Sequence, residues 1–418
     1  MEKLISLVLK AMNLSSKFFL LIVLAKYSSP EIVSIFGLYW STLVLSSGIM
    51  GVEVYSYTAR NIINSDEERN IQLRKHFAFL LIIAAVITPI ISLWQYEYGA
   101  VSLLLTLIFP FHLLFEFFSQ EITRILVPLK KPLASIVLAT IRSSIWIFPV
   151  IGIIYFYDAI PVLEITILSW LFGSFFAFVV GGWLVYDFTK GDVIPILDFH
   201  WIRKAVKVSL VIFIGTLCLR LILSADRFLI DLIFDKKILA VYIFYGSIVF
   251  SVVGLLETSV SAWHYPSMVK SIQLNNSSDY FIKLKRFLFE SSISGAAILI
   301  AIVIVTPLVI SSFLDPIYSS DMTAFYIMCS AIWFYTVTMP FYYTLYGLGR
   351  DKTILMINLT SLVLMVFWAF TYMGNLGLPG AGIMFGTSLV SISLMRTGFC
   401  LYIYAKEYKI YSPLKKVN

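Results

Sequence analysis

Ionisable residues fall in or beside long apolar runs, where no water can hold a charge, among them Lys10, Lys17, Glu53, Arg60, Glu116, Arg142, Arg220, Asp226, Arg227 and Glu257. A charge at the centre of a bilayer costs about 2.5–3.5 kcal/mol on insertion scales, so such groups normally face a cavity or a partner. Arg142 and Arg220 sit roughly nine and fourteen residues into their runs, which at 1.5 Å per residue is deep in hydrocarbon. A guanidinium is always charged and offers parallel donors, so it suits an anionic oxygen group such as a phosphate. An unpaired carboxylate in a low dielectric exchanges a proton or holds a cation.

The polar groups share helical faces. Ser6, Lys10, Asn13 and Lys17 lie within about 40° of one face at helical spacing. Thr42, Ser46, Glu53, Tyr57 and Arg60 make a second stripe, and His112, Glu116, Ser119 and Thr123 a third. Arg220 and Arg227 are seven apart on one face, with Ser224 between them and Asp226 turned away. Bland readings stand beside these. Lys10 and Arg60 can snorkel to a surface, Asp226 and Arg227 can be a structural pair, and Glu53 and Glu257 can be capped by packing partners. Arg396 reads as too near a helix end to be intramembrane. The tyrosines Tyr335, Tyr342, Tyr343 and Tyr346 read as lipid-facing, although they could also line a sugar path.

The elements that must position these groups follow from composition. Of 418 residues 60% are hydrophobic and only 13% charged, and mean hydropathy is +0.90. At about 20 residues per crossing this suffices for about 12 helical spans. A soluble enzyme, a secreted domain and a disordered chain are excluded, and continuous rather than alternating apolar runs argue against a β-barrel. Cys218, Cys329 and Cys400 are isolated, with no zinc spacing or disulfide framework, and His76, His112, His200 and His264 do not cluster. The expected fold class is therefore an all-α membrane protein of about 12 transmembrane helices. Spans are placed near 5–26, 33–56, 77–95, 98–119, 133–156, 162–186, 206–230, 238–263, 290–314, 322–347, 354–373 and 379–405.

Lysine and arginine orient these spans. The even-numbered connections and the two ends carry 21, including Lys415 and Lys416, whereas the odd-numbered connections carry three. That bias puts both termini in the cytoplasm. It also accounts for the net charge of +7 through membrane lipids, without nucleic acid. Six spans in each half suggest two lobes, 1–196 and 197–418. A weak internal echo supports this: Glu53, Tyr57 and Arg60 match Glu257, Ser261 and His264 in spacing.

Several stretches resemble a known family. The run from Arg220 through Asp226 and Arg227, followed by Ala240 and Tyr242, is similar to the span 7–8 signature of polysaccharide-repeat (O-antigen, Wzx-type) flippases. These belong to the multidrug/oligosaccharidyl-lipid/polysaccharide exporter superfamily. Lys17 with Ser29, Pro30, Glu31, Phe36, Gly37 and Tyr39 resembles the family's span 1–2 passage. So do Tyr346, Gly347, Gly349, Arg350 and Lys352, and the later Gly377, Pro379, Gly380, Ala381 and Gly382. The resemblance implies two six-helix lobes around a central cavity in a bacterial cytoplasmic (inner) membrane. It implies that an undecaprenyl-diphosphate-linked oligosaccharide is moved between leaflets by alternating access. A proton or sodium gradient would drive this, with no bound cofactor, and a polysaccharide polymerase and chain-length regulator would be partners. Carried onto this chain, Lys17 and Arg220 become diphosphate contacts. Arg142 joins them from its burial alone, with Lys10 and Arg60 as further cavity cations. Glu53, Glu257 and Asp226, with Arg227 and Glu116, become candidates for ion coupling or gating. Twelve spans fit the O-antigen type, whereas lipid II flippases of the superfamily typically have fourteen.

Two rivals remain. A multidrug exporter would share the fold, but its usually cationic cargo suits acidic cavities better than Arg142 and Arg220. A membrane-embedded polysaccharide polymerase or glycosyltransferase would need a sizeable outer loop, and the longest odd-numbered connection has about seven residues. No Walker A sequence is present, so ATP is not the direct fuel. The expectation is a transporter and not an enzyme.

Overall fold

Apolar runs this long leave the backbone no alternative to satisfying its own hydrogen bonds, and the helix is the local way to do so. The structure is a computed structural model and describes residues 2–64, 69–98, 102–157, 160–189 and 194–408. Among these there are helices and connections but no strand. Eleven helical stretches are long and apolar enough to cross a membrane. The last, Asp351–Lys406, is 56 residues long and is broken at Gly377, where φ is 63° and ψ −145°. Only glycine adopts that geometry without strain. Beyond the break the chain returns along itself, and Ser391 Oγ donates to Ser361 Oγ at 2.7 Å. This stretch therefore accounts for two of the expected spans. The basic C-terminal pair, Lys415 and Lys416, lies outside the described residues.

The helices of the N-terminal part are α1 (Glu2–Tyr27), α2 (Pro30–Gly51), α3 (Val54–Asn64), α4 (Arg69–Tyr98) and α5 (Leu103–Leu126). They are followed by α6 (Pro132–Thr140), α7 (Ile147–Phe156), α8 (Val162–Tyr186), α9 (Phe199–Ser224), α10 (Asp226–Ile233) and α11 (Lys236–Leu256). Prolines open α2 and α6 at their first turn, where the missing N–H costs nothing. Asp198 caps α9 by accepting from the Trp201 backbone N–H at 2.9 Å. The remaining helices are α12 (Ala262–Gln273), α13 (Ser277–Phe313), α14 (Met322–Val337), α15 (Met339–Gly347), α16 (Asp351–Trp368) and α17 (Gly374–Tyr408). Several connections expected to be long are short because the helices overrun the apolar runs. Between α12 and α13, for example, only 274–276 are non-helical.

Two compact units are distinguished: Met1–Phe244 with Phe313–Tyr318, and Tyr245–Ser312 with Ser319–Asn418. In the first, α5 packs on α8, and α9, which the sequence reading assigns to the second lobe, packs on α2 and α3. The core of this unit is aromatic and aliphatic, with Phe36, Tyr39, Phe109, Phe117, Trp146 and Trp170 all buried. In the second unit α14 and α16 pack on α17, and α12 on α15.

Three π-helical turns and one corner interrupt the helices. Residues Ile141–Ile145 and Glu257–Ser261 form π-helical turns, as do Ala369–Met373. Between α2 and α3, Val52 and Glu53 take φ of 45° and 51°. The continuous face expected through Glu53, Tyr57 and Arg60 is thus broken, since Glu53 belongs to a left-handed corner rather than a helix. The echo at Glu257, Ser261 and His264 likewise runs through a wider turn, which alters which side chains share a face.

Candidate functional site

The first charged cluster surrounds Glu116 of α5. Its Oε2 accepts from Ser174 Oγ at 2.6 Å and from Trp170 Nε1 at 3.3 Å, both on α8. Its Oε1 lies 3.6 Å from Arg142 Nη1, an ion pair longer than a hydrogen bond. Arg142 stands on the π-turn between α6 and α7. The turn frees the Arg142 carbonyl, which accepts from Trp146 Nε1 at 3.1 Å, and Ser144 ties the turn to Asn13 of α1 at 2.6 Å. Lys17, also on α1, holds its ammonium 5.0 Å from the centre of the Trp40 ring, a cation–π contact, and within electrostatic reach of Arg142 and Glu116. Trp170 stacks on Trp146 at 5.9 Å and sits 4.8 Å from Trp40. Two cations therefore share one carboxylate inside an indole-lined wall. Nε and Nη1 of Arg142 are buried and have no hydrogen-bond partner among the described residues.

The second cluster surrounds the corner at Glu53. Arg124 of α5 donates through Nη2 to Glu53 Oε2 and through Nη1 to Glu121 Oε1, the latter at 3.0 Å. Arg220 of α9 approaches Glu53 Oε1 at 3.8 Å. His76 of α4 places Nε2 3.7 Å from Glu121 Oε2, and its Nδ1 is 3.0 Å from Thr58 Oγ1. The Arg124 guanidinium also lies 4.4 Å from the Tyr55 ring centre. Room for Arg220 comes from Gly48 of α2, where a Cβ would stand 2.6 Å from Nη1 and 2.9 Å from Cδ. Two guanidiniums face two carboxylates, so this cluster is balanced.

The other predicted residues stand elsewhere. Asp226 is buried at the α9–α10 break, where its carboxylate accepts from the Tyr242 hydroxyl and from the Arg227 backbone N–H. Arg227 Nη1 donates to Ser41 Oγ at 2.8 Å. Lys10 is half-buried on α1, and Arg60 is exposed on α3. Glu257 is exposed on its π-turn in the second unit.

Three expectations need correction. Arg396 is 2% exposed and lies between the faces of Tyr335 and Tyr342, at 4.9 and 5.0 Å. Its place near a helix end did not keep it out of the interior. Tyr335, Tyr342 and Tyr343 pack inward with it or against Tyr265 and Phe287, and of the four tyrosines only Tyr346 is exposed. The fourth span does not end at 119. Helix α5 runs to Leu126, so Glu121 and Arg124, read as loop residues, are the hub of the second cluster. His76 was missed for the same reason, since α4 begins at Arg69 rather than 77.

No family model matches the chain, and no curated protein sequence matches it. Solved structures do. A multidrug-resistance MATE-family transporter of the MOP superfamily, in an inward-facing conformation, superposes with a TM-score of 0.76 at 12% identity, over 97% of this chain and 99% of that one. The lipid II flippase MurJ, in an inward closed conformation, gives 0.70 at 14% identity over 94% and 86%. A MOP-superfamily transporter from Pyrococcus furiosus, described as having a binding pocket of reverse polarity, gives 0.61 at 14% over 93% and 92%. The chain has the fold of these transporters and flippases.

Proposed function

We propose that this protein is a flippase of the bacterial cytoplasmic membrane. It moves an undecaprenyl-diphosphate-linked oligosaccharide, the repeat unit of an O-antigen or similar surface polysaccharide, from the inner to the outer leaflet. The movement is ion-coupled alternating access, with both termini on the cytoplasmic side. The observation that carries this reading is the cation excess at Lys17, Arg142 and Glu116, together with two buried Arg142 donor atoms that have no acceptor. Desolvated donors without acceptors are costly, and a diphosphate supplies the acceptors and the charge that balance them. Arg220, 27% exposed at its side chain, is the second phosphate contact.

The experiment is complementation in a bacterium that makes the lipid-linked repeat but lacks its own flippase. Surface polysaccharide is measured at matched membrane abundance. Arg142→Gln and Arg220→Gln should each sharply reduce it, and Arg142→Lys should keep part, because charge survives while the fork is lost. Normal export with glutamine at both positions would overturn the reading. A multidrug exporter is the second reading, favoured by the MATE-family fold match. It predicts drug resistance that is insensitive to the lipid-linked repeat.

A further inference from the structure

The pair His76 and Glu121 has no part in the proposed cargo contacts, and it is among the most enclosed titratable pairs in the first unit. The two residues are 0% and 1% exposed. The facing atoms, His76 Nε2 and Glu121 Oε2, are buried, lie 3.7 Å apart and have no hydrogen-bond partner among the described residues. On the far side of the ring, Nδ1 is 3.0 Å from Thr58 Oγ1, which in turn is 3.2 Å from the Val54 carbonyl oxygen.

That arrangement satisfies two protonation states with the same heavy-atom positions. With the imidazole neutral, the Thr58 hydroxyl donates to Nδ1 and Nε2–H points at Glu121. With the imidazole protonated, Nδ1–H donates to Thr58 Oγ1, whose own hydrogen swings to the Val54 oxygen, while Nε2–H still faces the carboxylate. One hydroxyl rotation separates the states, and one proton from water is gained or lost. A histidine whose two ring nitrogens face an adaptable hydroxyl and a carboxylate has a hydrogen-bond partner for either protonation state.

We propose that His76, Glu121 and Thr58 form a proton-binding site that holds one exchangeable proton. The groups facing it on the packed elements are Glu53 at the corner, Glu121 and Arg124 on α5, Arg220 on α9, and Thr58 on α3. At this level α2 presents Gly48 and Gly51 and no titratable side chain. The proton is felt beyond the pair because Glu121 holds Arg124 through its other oxygen, and Arg124 holds Glu53 at the left-handed corner. A cation at His76 shares the Glu121 charge and loosens its hold on Arg124. The use of this proton for coupling rests on the proposed transport. The site itself does not, so its test contains no cargo.

The test is nitrogen NMR of the full chain, labelled at histidine and held in lipid nanodiscs, from about pH 5 to pH 9. The His76 signals are assigned by difference with His76→Gln. Wild-type His76 should pass between a neutral tautomer and the imidazolium in that range. At a fixed pH, Glu121→Gln should lower the ratio of imidazolium to neutral ring by about tenfold or more, since an adjacent opposite charge is removed. Thr58→Val should lower it less. A single His76 species throughout the range overturns the proposal, as does a ratio indifferent to Glu121→Gln. Should Glu121→Gln fail to fold, the wild-type titration and the near-isosteric Thr58→Val decide in the same way.

Discussion

Glu116 and Glu121 stand on the same helix, about 7.5 Å apart along its axis at 1.5 Å per residue, yet each anchors a different kind of charged cluster. At Glu121 two guanidiniums meet two carboxylates, although Glu121 Oε2 faces His76 Nε2 at 3.7 Å without a hydrogen bond. Arg124 spans Glu121 and Glu53 like a clasp, and Arg220 leans on the free side. At Glu116 two cations crowd one carboxylate that already serves Ser174 and Trp170, and the arginine keeps buried donors unused. A buried ionic group that is fully paired holds structure in place, and removing one partner is what costs most. A buried group left unpaired is tolerated where it serves a ligand. The difference separates, within one helix, a cluster whose arginine is shared between two carboxylates from one whose arginine keeps buried donors unused.

The clasp also explains the backbone beside it. Val52 and Glu53 both adopt left-handed geometry, which costs on the order of 1–3 kcal/mol per non-glycine residue and persists only where the surroundings over-determine it. Arg124 supplies that constraint by holding the Glu53 carboxylate. Arg124→Gln should therefore have the largest effect, a loss of about 3–5 kcal/mol in stability, because two buried carboxylates lose their shared cation. Arg142→Gln should lose about 1 kcal/mol or less, since its ion pair is long and its removal takes away unsatisfied donors. Thermal unfolding of the detergent-solubilised protein checks both. Equal losses at the two arginines would erase the distinction between the clusters. Adding Glu53→Gln and Glu121→Gln to Arg124→Gln should recover part of the deficit.

Gly48 gives a smaller effect with a change of sign. An alanine there gains about 1 kcal/mol of helix propensity. It also drives its Cβ to 2.9 Å from Arg220 Cδ, an overpacking that costs about 1–3 kcal/mol. Gly48→Ala should be mildly destabilising in the wild type but stabilising in an Arg220→Ala background. The same sign in both backgrounds would mean that Gly48 does not accommodate Arg220.

Burial of the long apolar runs made the helices readable, and the deep placement of Lys17, Arg142 and Arg220 singled out residues that the structure puts in the two charged clusters. Glu121, Arg124 and His76 were not singled out. The stretch Ser119, Gln120, Glu121, Thr123 and Arg124 has the hydropathy of a loop, and only packing in three dimensions turns it inward. Trp40 and Trp170 were lost among aromatics expected at the lipid surface, because an indole that meets lipid and one that meets an ammonium look alike in a sequence. The corner at Val52 had no proline to announce it. Nor did the π-turns at Arg142 and Glu257 carry any marker, although both fall on charged residues singled out by their depth.

The smallest effect comes from a neighbour that shows what burial adds. Lys75 precedes His76 on α4, but its ammonium leaves the cluster and pairs with Asp198 at 2.8 Å, with side chains 20% and 31% exposed. Hydrogen bonding from Lys75, and then from the Trp201 backbone N–H, holds the Asp198 carboxyl below the ordinary carboxylate range. A depressed carboxyl stabilises the fold above its unfolded-state value and loses that contribution as pH falls through the folded-state value. Asp198→Asn should therefore differ slightly from wild type at neutral pH, and the difference should close as pH falls below about 4. It should also shrink in high salt, which screens exposed pairs more than buried ones. The Arg124→Gln deficit should keep most of its size in the same salt series. If salt reduced both deficits in proportion, Arg124 would be a solvated pair like Lys75, and the balanced cluster would not be the clasp that holds the corner at Glu53.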